Sequence, residues 1–201
     1  MIKTIIFDLG NVLIPFDFTR GYKGMEALSG LPAAEIRRRI ASTDLVHRFE
    51  SGLIEPQDFV ARIGELLETS LPYEKFAEIW SSIFLPPTLV TEEIVEALHR
   101  NYRLLVLSNT NAIHFEMVRE TYPLLRHFDG FTLSHEVKAM KPDPRIYAAV
   151  LAEARCAPEH CFYTDDIAAY VEAGRQHGID AVQFQSREQL EAEMRSRGIA
   201  W

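Results

Sequence analysis

Cysteine is scarce in this chain: Cys156 and Cys161 are the only two in 201 residues. Two thiols support neither a disulfide scaffold nor a zinc site, so the fold must rest on an apolar core in a reducing compartment. Positive charge is also short. Lys and Arg number 21 against 29 Asp and Glu, a net charge of -8, which removes the basic face that a non-specific nucleic-acid grip requires. No stretch approaches the roughly 18 apolar residues of a membrane-spanning helix. The N-terminal apolar run follows a single lysine and breaks at Asp8, unlike a signal peptide. Repeats and low-complexity tracts are missing too. These absences leave a cytoplasmic protein, monomer or homodimer, with no nucleic-acid or membrane partner as the expectation. A phosphorylated small molecule stays possible, provided its site is locally positive.

What is present is a globular composition, with 47% hydrophobic and 25% charged residues, enough for one core with a modest insertion. Residues 2–8 read as a buried strand. From 16 to 85 every periodic segment is helical: Phe59, Ile63, Leu66 and Leu67 share one face, as do Phe76, Ile79, Trp80 and Ile83. Leu85–Pro86–Pro87 closes that block. Strict alternation follows. A helix around 89–100 precedes the strand Arg103–Leu107, and another helix follows Thr110. Gly130–Leu133 is a short strand. Asp143 and Pro144 are suited to cap and open a helix. Cys161–Thr164 is a strand, a helix then runs to Gly178, and Ile179–Phe184 is the last strand before a polar helix. Alternation of this kind predicts an α/β fold, a Rossmann-like parallel sheet sandwiched by helices. The core is residues 1–15 and 86–201, and residues 16–85 form a helical cap inserted after strand one.

Ligands of such sheets bind at the carboxyl ends of the strands. Strand one ends in Asp8, strand two in Ser108 and Asn109, and "CFYTDD" in Asp165 and Asp166; "KAMKPDPRIY" offers Lys141 before a helix. Each signal is ordinary alone: a turn aspartate, a helix cap, a loop lysine, a solvated acid pair. Together, in this order on one sheet edge, they form a constellation. Clustered carboxylates repel unless a cation is present, and hard oxygen donors suit Mg²⁺. With the metal and Lys141 close by, Asp8 stays ionised, as a nucleophile must. Ser108 and the N–H groups of Leu9, Gly10 and Asn109 could hold phosphoryl oxygens.

"FDLGNVL", "VLSNTN", "KPDPRIY" and "FYTDD" resemble, in order and spacing, the four motifs of the haloacid dehalogenase superfamily of phosphohydrolases. "ESGLIEPQDF" resembles the cap of the branch with a bacterial α-glucose-1-phosphate phosphatase and the phosphatase domain of soluble epoxide hydrolase. The resemblance implies an aspartyl-phosphate on Asp8 and Mg²⁺ held by Asp8, the Gly10 carbonyl and Asp166, with Asp165 helping. It implies Ser108 and Lys141 on the phosphoryl oxygens of a small phosphorylated metabolite. The acid pair at the last motif position, and the inserted helices, exclude the signalling receiver domain, whose pair ends its first strand.

Three positions depart from the superfamily pattern. Gly10 stands where most of its phosphatases carry the aspartate that protonates the leaving alcohol, a group worth about 10²–10⁴-fold in rate. Its absence suits a substrate with an easily departing group, such as a sugar 1-phosphate, and a Gly10→Asp variant should then gain on alkyl phosphates. The alternatives are a weak or inactive binding module and hydrolysis of a phosphonate or haloacid. The phosphonate route needs a cap lysine, and only Lys23 and Lys75 are available. Tyr170 replaces a common asparagine, and Lys138 a common glycine. In the cap, Phe16, Phe18, His47, Arg48 and Glu50 are the candidates to line a substrate pocket.

Overall fold

The computed structural model describes all of residues 1–201. Five strands, β1 (Thr4–Phe7), β2 (Arg103–Ser108), β3 (Gly130–Leu133), β4 (Cys161–Asp165) and β5 (Asp180–Gln183), form one parallel sheet in the order β3-β2-β1-β4-β5. Between β1 and β2 lie α1 (Phe18–Ser29), α2 (Ala33–Ala41), α3 (Leu45–Glu50), α4 (Pro56–Leu66) and α5 (Tyr73–Ser81), followed by α6 (Glu92–His99). Then come α7 (Ala112–Thr121), the short α8 (Ser134–Val137), α9 (Pro144–Ala154), α10 (Ala168–Gln176) and α11 (Arg187–Ser196).

Side-chain alternation divides the core into two layers. Ile5, Phe7, Leu104, Val106 and Phe162 join one cluster with Val95 of α6, Val118 of α7 and Met194 of α11. Ile6, Leu105, Leu107 and Tyr163 join the other with Ile146, Tyr147 and Val150 of α9 and Val171 of α10. The strands are apolar on both faces because helices cover both. A third cluster, built on Phe49, Phe59, Phe76 and Trp80, fills the five-helix insertion and takes in Ile113 of α7. Through Ile113 the insertion packs directly on α7.

The local chemistry matches the sequence signals. Asp143 caps α9 by accepting from the Arg145 N–H at 2.9 Å, and Pro144 opens the helix. The helix before β5 stops at Gln176, two residues short of Gly178, which takes φ +82° just beyond it. Lys138 also sits in the left-handed region, φ 57°, at the end of α8, which accounts for glycine being common there.

His114 of α7 joins the two bodies. Its Nε2 lies 3.0 Å from the Trp80 carbonyl and its Nδ1 3.0 Å from the Asn111 carboxamide nitrogen. Those partners assign the proton to Nε2. Burial pushes its pKa down to about 4. The folded state therefore resists a proton that the unfolded chain takes up near 6.5, so this stability is complete above pH 6.5 and lost as pH falls toward 4. We expect the stability difference between wild type and His114→Gln to shrink by up to about 3 kcal/mol from pH 7 to 4, read from urea midpoints. A pH-independent difference would contradict this.

Candidate active site

The chain runs out along β1, β2 and β3 on one side of the sheet, then crosses back to β4 and β5 on the other. The switch falls between β1 and β4, where such sheets open a crevice at the carboxyl ends of their strands. The residues leaving those two strands are Asp8 and the pair Asp165–Asp166. Asp8 is held level with β4 by its N–H, 2.9 Å from the Thr164 carbonyl. Alternation then sends Asp8 to the face of Ile6, and Asp165 to the face of Tyr163. That face carries α9, and Lys141 arrives on the loop before it.

Lys141 Nζ lies 2.8 Å from Asp8 Oδ1, 2.5 Å from Asp165 Oδ2 and 3.1 Å from the Leu107 carbonyl. All three donors of a buried ammonium are used. Burial pulls Lys141 down, but the charges of Asp8 and Asp165 reverse this and leave it above its ordinary value. One ammonium serving two carboxylates leaves negative charge uncompensated. Burial accordingly pushes Asp8 up to about 7, with Lys141 pulling against it and Asp165 pushing further. Burial and then Asp165 also raise Asp166. Oxygens of Asp8, Asp165 and Asp166 all lie within 4.8 Å of one another. This donor set fits a hard divalent cation, which would relieve the repulsion.

The two carboxylates on Lys141 are not equivalent. Asp165 is 0% exposed, its Oδ2 accepts from Lys141 and the Tyr163 hydroxyl, and its Oδ1 accepts from the Ile167 N–H at 2.9 Å. It anchors Lys141. Asp8 is 8% exposed and is the member of the pair that a substrate can reach. Asp166 is half-buried, its Oδ2 3.5 Å from the Asn11 carboxamide nitrogen.

Leu9, Gly10, Ser108, Asn109 and Thr110 of the core line a cavity of about 50 Å³ with Phe16, Phe18 and Glu50 of the insertion. Phe16 and Phe18 also border a wider cleft of about 590 Å³ that includes Tyr22 and Arg37. Of the other insertion candidates, Arg48 is half-buried and His47 exposed; neither lines the small cavity, because α3 turns only its last residue, Glu50, toward it. Lys23 and Lys75 are also outside it, so no cap lysine is placed for imine chemistry.

Three residues around Lys141 make contacts that the sequence reading did not assign to them. The Asn109 carboxamide accepts from the Lys141 N–H at 2.7 Å and donates to the Lys141 carbonyl at 3.1 Å. Its side chain thus clamps the Lys141 backbone, and only its own N–H is left for a ligand. Tyr163 steadies Asp165 from two positions earlier on the same strand face, a spacing that was visible in "FYTDD". Tyr170 sets its ring 5.1 Å from Lys141 Nζ and its hydroxyl 3.4 Å from Asn109. Where an asparagine is common, this chain places a cation–π contact.

Phe16 explains Gly10. A Cβ built at Gly10 would meet Phe16 Cε1 at 2.6 Å, and the Phe16 ring is wedged edge-on against Phe18 and Phe84, with centroids 5.1 and 6.2 Å away. The ring occupies the space that an aspartate there would need. The gain expected for Gly10→Asp on alkyl phosphates is therefore not the outcome the geometry predicts. We expect Gly10→Ala to cost about 1–3 kcal/mol in urea unfolding, and Gly10→Asp to lose activity unless Phe16 is also cut back to alanine. A Gly10→Ala protein as stable as wild type would show that the ring gives way freely.

The family model described as haloacid dehalogenase-like hydrolase matches residues 2–178. The chain is 26% identical over 190 residues to the D-ribitol-5-phosphate phosphatase of Bacteroides thetaiotaomicron, covering 91% of this chain and 92% of that one. It is 27% identical over 193 residues to a phosphatase of Mycobacterium tuberculosis, covering 90% and 86%. A crystal structure of a HAD family enzyme from Bacteroides thetaiotaomicron, in complex with magnesium and inorganic phosphate, superposes with a TM-score of 0.84. That pair is 26% identical, over 93% of this chain and 96% of the other.

Proposed function

The chain belongs to the haloacid dehalogenase-like hydrolases, and from that membership we propose that it is a magnesium-dependent phosphatase of small phosphomonoesters acting through Asp8. The observation that carries the proposal is the buried Asp8–Lys141–Asp165 array, with Asp8 as its reachable carboxylate and Asp166 beside it. Relatives named as phosphatases, and a similar enzyme crystallised with magnesium and phosphate, support the same reading.

Asp8, the Gly10 carbonyl and Asp166 would hold Mg²⁺, which supplies charge neutralisation for Asp8 and for the phosphoryl oxygens. Asp165 contributes by fixing Lys141. Lys141 keeps Asp8 Oδ1 in place and offers positive charge where the phosphoryl group arrives. Ser108 and the N–H groups of Leu9, Gly10 and Asn109 would orient the phosphoryl oxygens. Asp8 attacks phosphorus, the ester oxygen leaves, and water then releases phosphate from the aspartyl-phosphate.

The small cavity, about 50 Å³, has room for a few waters at about 10–15 Å³ each, enough for a phosphoryl group but not for a sugar as well. The leaving group therefore belongs in the wider cleft beyond Phe16 and Phe18, whose size suits a sugar or polyol. The test is phosphate release from sugar 1-phosphates, polyol phosphates and acyl phosphates, with and without Mg²⁺. Metal-dependent release from at least one class is the expected result. Silence across the panel from folded protein would overturn the proposal and favour a binding module.

A further inference from the structure

With Phe16 occupying the space beside Gly10, the proton for the leaving group must come from elsewhere in the cavity. Among its lining residues, only Glu50 and His114 carry an acidic or basic side chain. His114 is committed: both ring nitrogens are bonded, to the Trp80 carbonyl and to Asn111. Glu50 remains. A cavity of about 50 Å³ brings its contents close to the groups that line it.

The backbone around Glu50 is locked to the core. The Ser134 hydroxyl donates to the Glu50 carbonyl at 2.6 Å and accepts from the Thr110 N–H at 2.9 Å. Two residues on, Gly52 takes φ +65°, and a Cβ there would lie 1.9 Å from the His135 carbonyl oxygen. Only glycine allows so close an approach. The "ESG" turn thus docks on α8, and Glu50 takes its place in the lining of the cavity beside Gly10 and Ser108.

We propose that Glu50, reaching across from the inserted helices, is the general acid and base that replaces the aspartate missing at position 10. The inference rests on the phosphatase reading above. In the first step an Asp8 oxygen bonds to phosphorus while the P–O bond to the leaving group breaks. The electron pair goes to the leaving oxygen, which takes the Glu50 proton and departs as an alcohol. In the second step the Glu50 carboxylate takes a proton from water as that oxygen bonds to phosphorus. The bond to Asp8 breaks, Asp8 regains its charge, and Glu50 is again protonated. Burial alone pushes the Glu50 carboxyl up to about 7, so a protonated fraction exists at neutral pH.

Leaving-group dependence tests the role. In Glu50→Gln, kcat/KM, which reports phosphoryl transfer to Asp8, is compared with wild type on an alkyl phosphate and on p-nitrophenyl phosphate. The nitrophenolate needs little protonation, whereas an alkoxide needs a full proton. The expected loss on the alkyl ester exceeds that on the aryl ester by about 100-fold or more. Equal losses, or no loss, with folding verified by near-UV circular dichroism, would overturn the inference. If wild type itself hydrolyses neither ester, nor any member of the panel above, the phosphatase reading fails instead. Gly52→Ala gives a second readout: forcing the turn off His135 should reproduce the alkyl-selective loss while Glu50 remains present.

Discussion

Lys141→Met should lower the unfolding free energy by about 3–5 kcal/mol, a larger effect than any single truncation on the protein surface. The reason lies in what the ammonium leaves behind. Asp165 has no solvent to turn to, and Asp8 has almost none. Removing the cation places two buried carboxylates side by side, with hydrogen bonds from Tyr163 and Ile167 on Asp165 and one from the Leu9 backbone on Asp8. A double variant, Lys141→Met with Asp165→Asn, removes one of the stranded charges and should recover part of the loss. Urea unfolding of the wild type, the two single variants and the double variant forms a cycle that isolates the coupling. If the double variant were less stable than Lys141→Met, the site would not be governed by charge compensation.

Asp8→Asn is expected to abolish turnover, by a factor of the order of 10⁴ or more, while leaving the fold intact. Asparagine has the same shape, and its carboxamide oxygen can still accept from Lys141 at the position of Oδ1. It also removes one of the two negative charges that share that ammonium, so stability should hold or rise slightly. What it lacks is the charge needed to attack phosphorus. The contrast with Lys141→Met is informative. One variant should be stable and inactive, the other unstable, and the pair separates the chemical role of Asp8 from the structural role of its partner. Phosphate release and urea midpoints measured on the same preparations check both.

The sheet was legible because apolar runs bounded by polar residues leave few readings. Arg103–Leu107 and Cys161–Thr164 each differ from the observed strands by one residue at the carboxyl end, and Gly130–Leu133 matches its strand. Residues 2–8 shrink to Thr4–Phe7 because pairing with β2 and β4 begins at Thr4 and ends at Phe7. The candidate site was legible for a related reason: a carboxylate that ends a buried strand is costly without a partner, so Asp8 and Asp165 stood out. Glu50 did not declare its part. It ends an amphipathic helix among charged neighbours, and its burial comes from the docking of the Gly52 turn on His135, a tertiary contact. Phe16 and Asn109 were legible in part: sequence marks them as a candidate pocket residue and a strand-end N–H donor, but only the folded chain shows the ring over Gly10 and the clamp on the Lys141 backbone.

The most direct test of the central claim is to find where the phosphoryl group goes. Protein mixed with a small acyl phosphate and Mg²⁺, quenched in acid within a turnover and digested, is read by mass spectrometry. One added phosphoryl group is expected on the peptide containing Asp8, and none in Asp8→Asn. A phosphoryl group on any other peptide, or turnover that survives in Asp8→Asn, would contradict that claim.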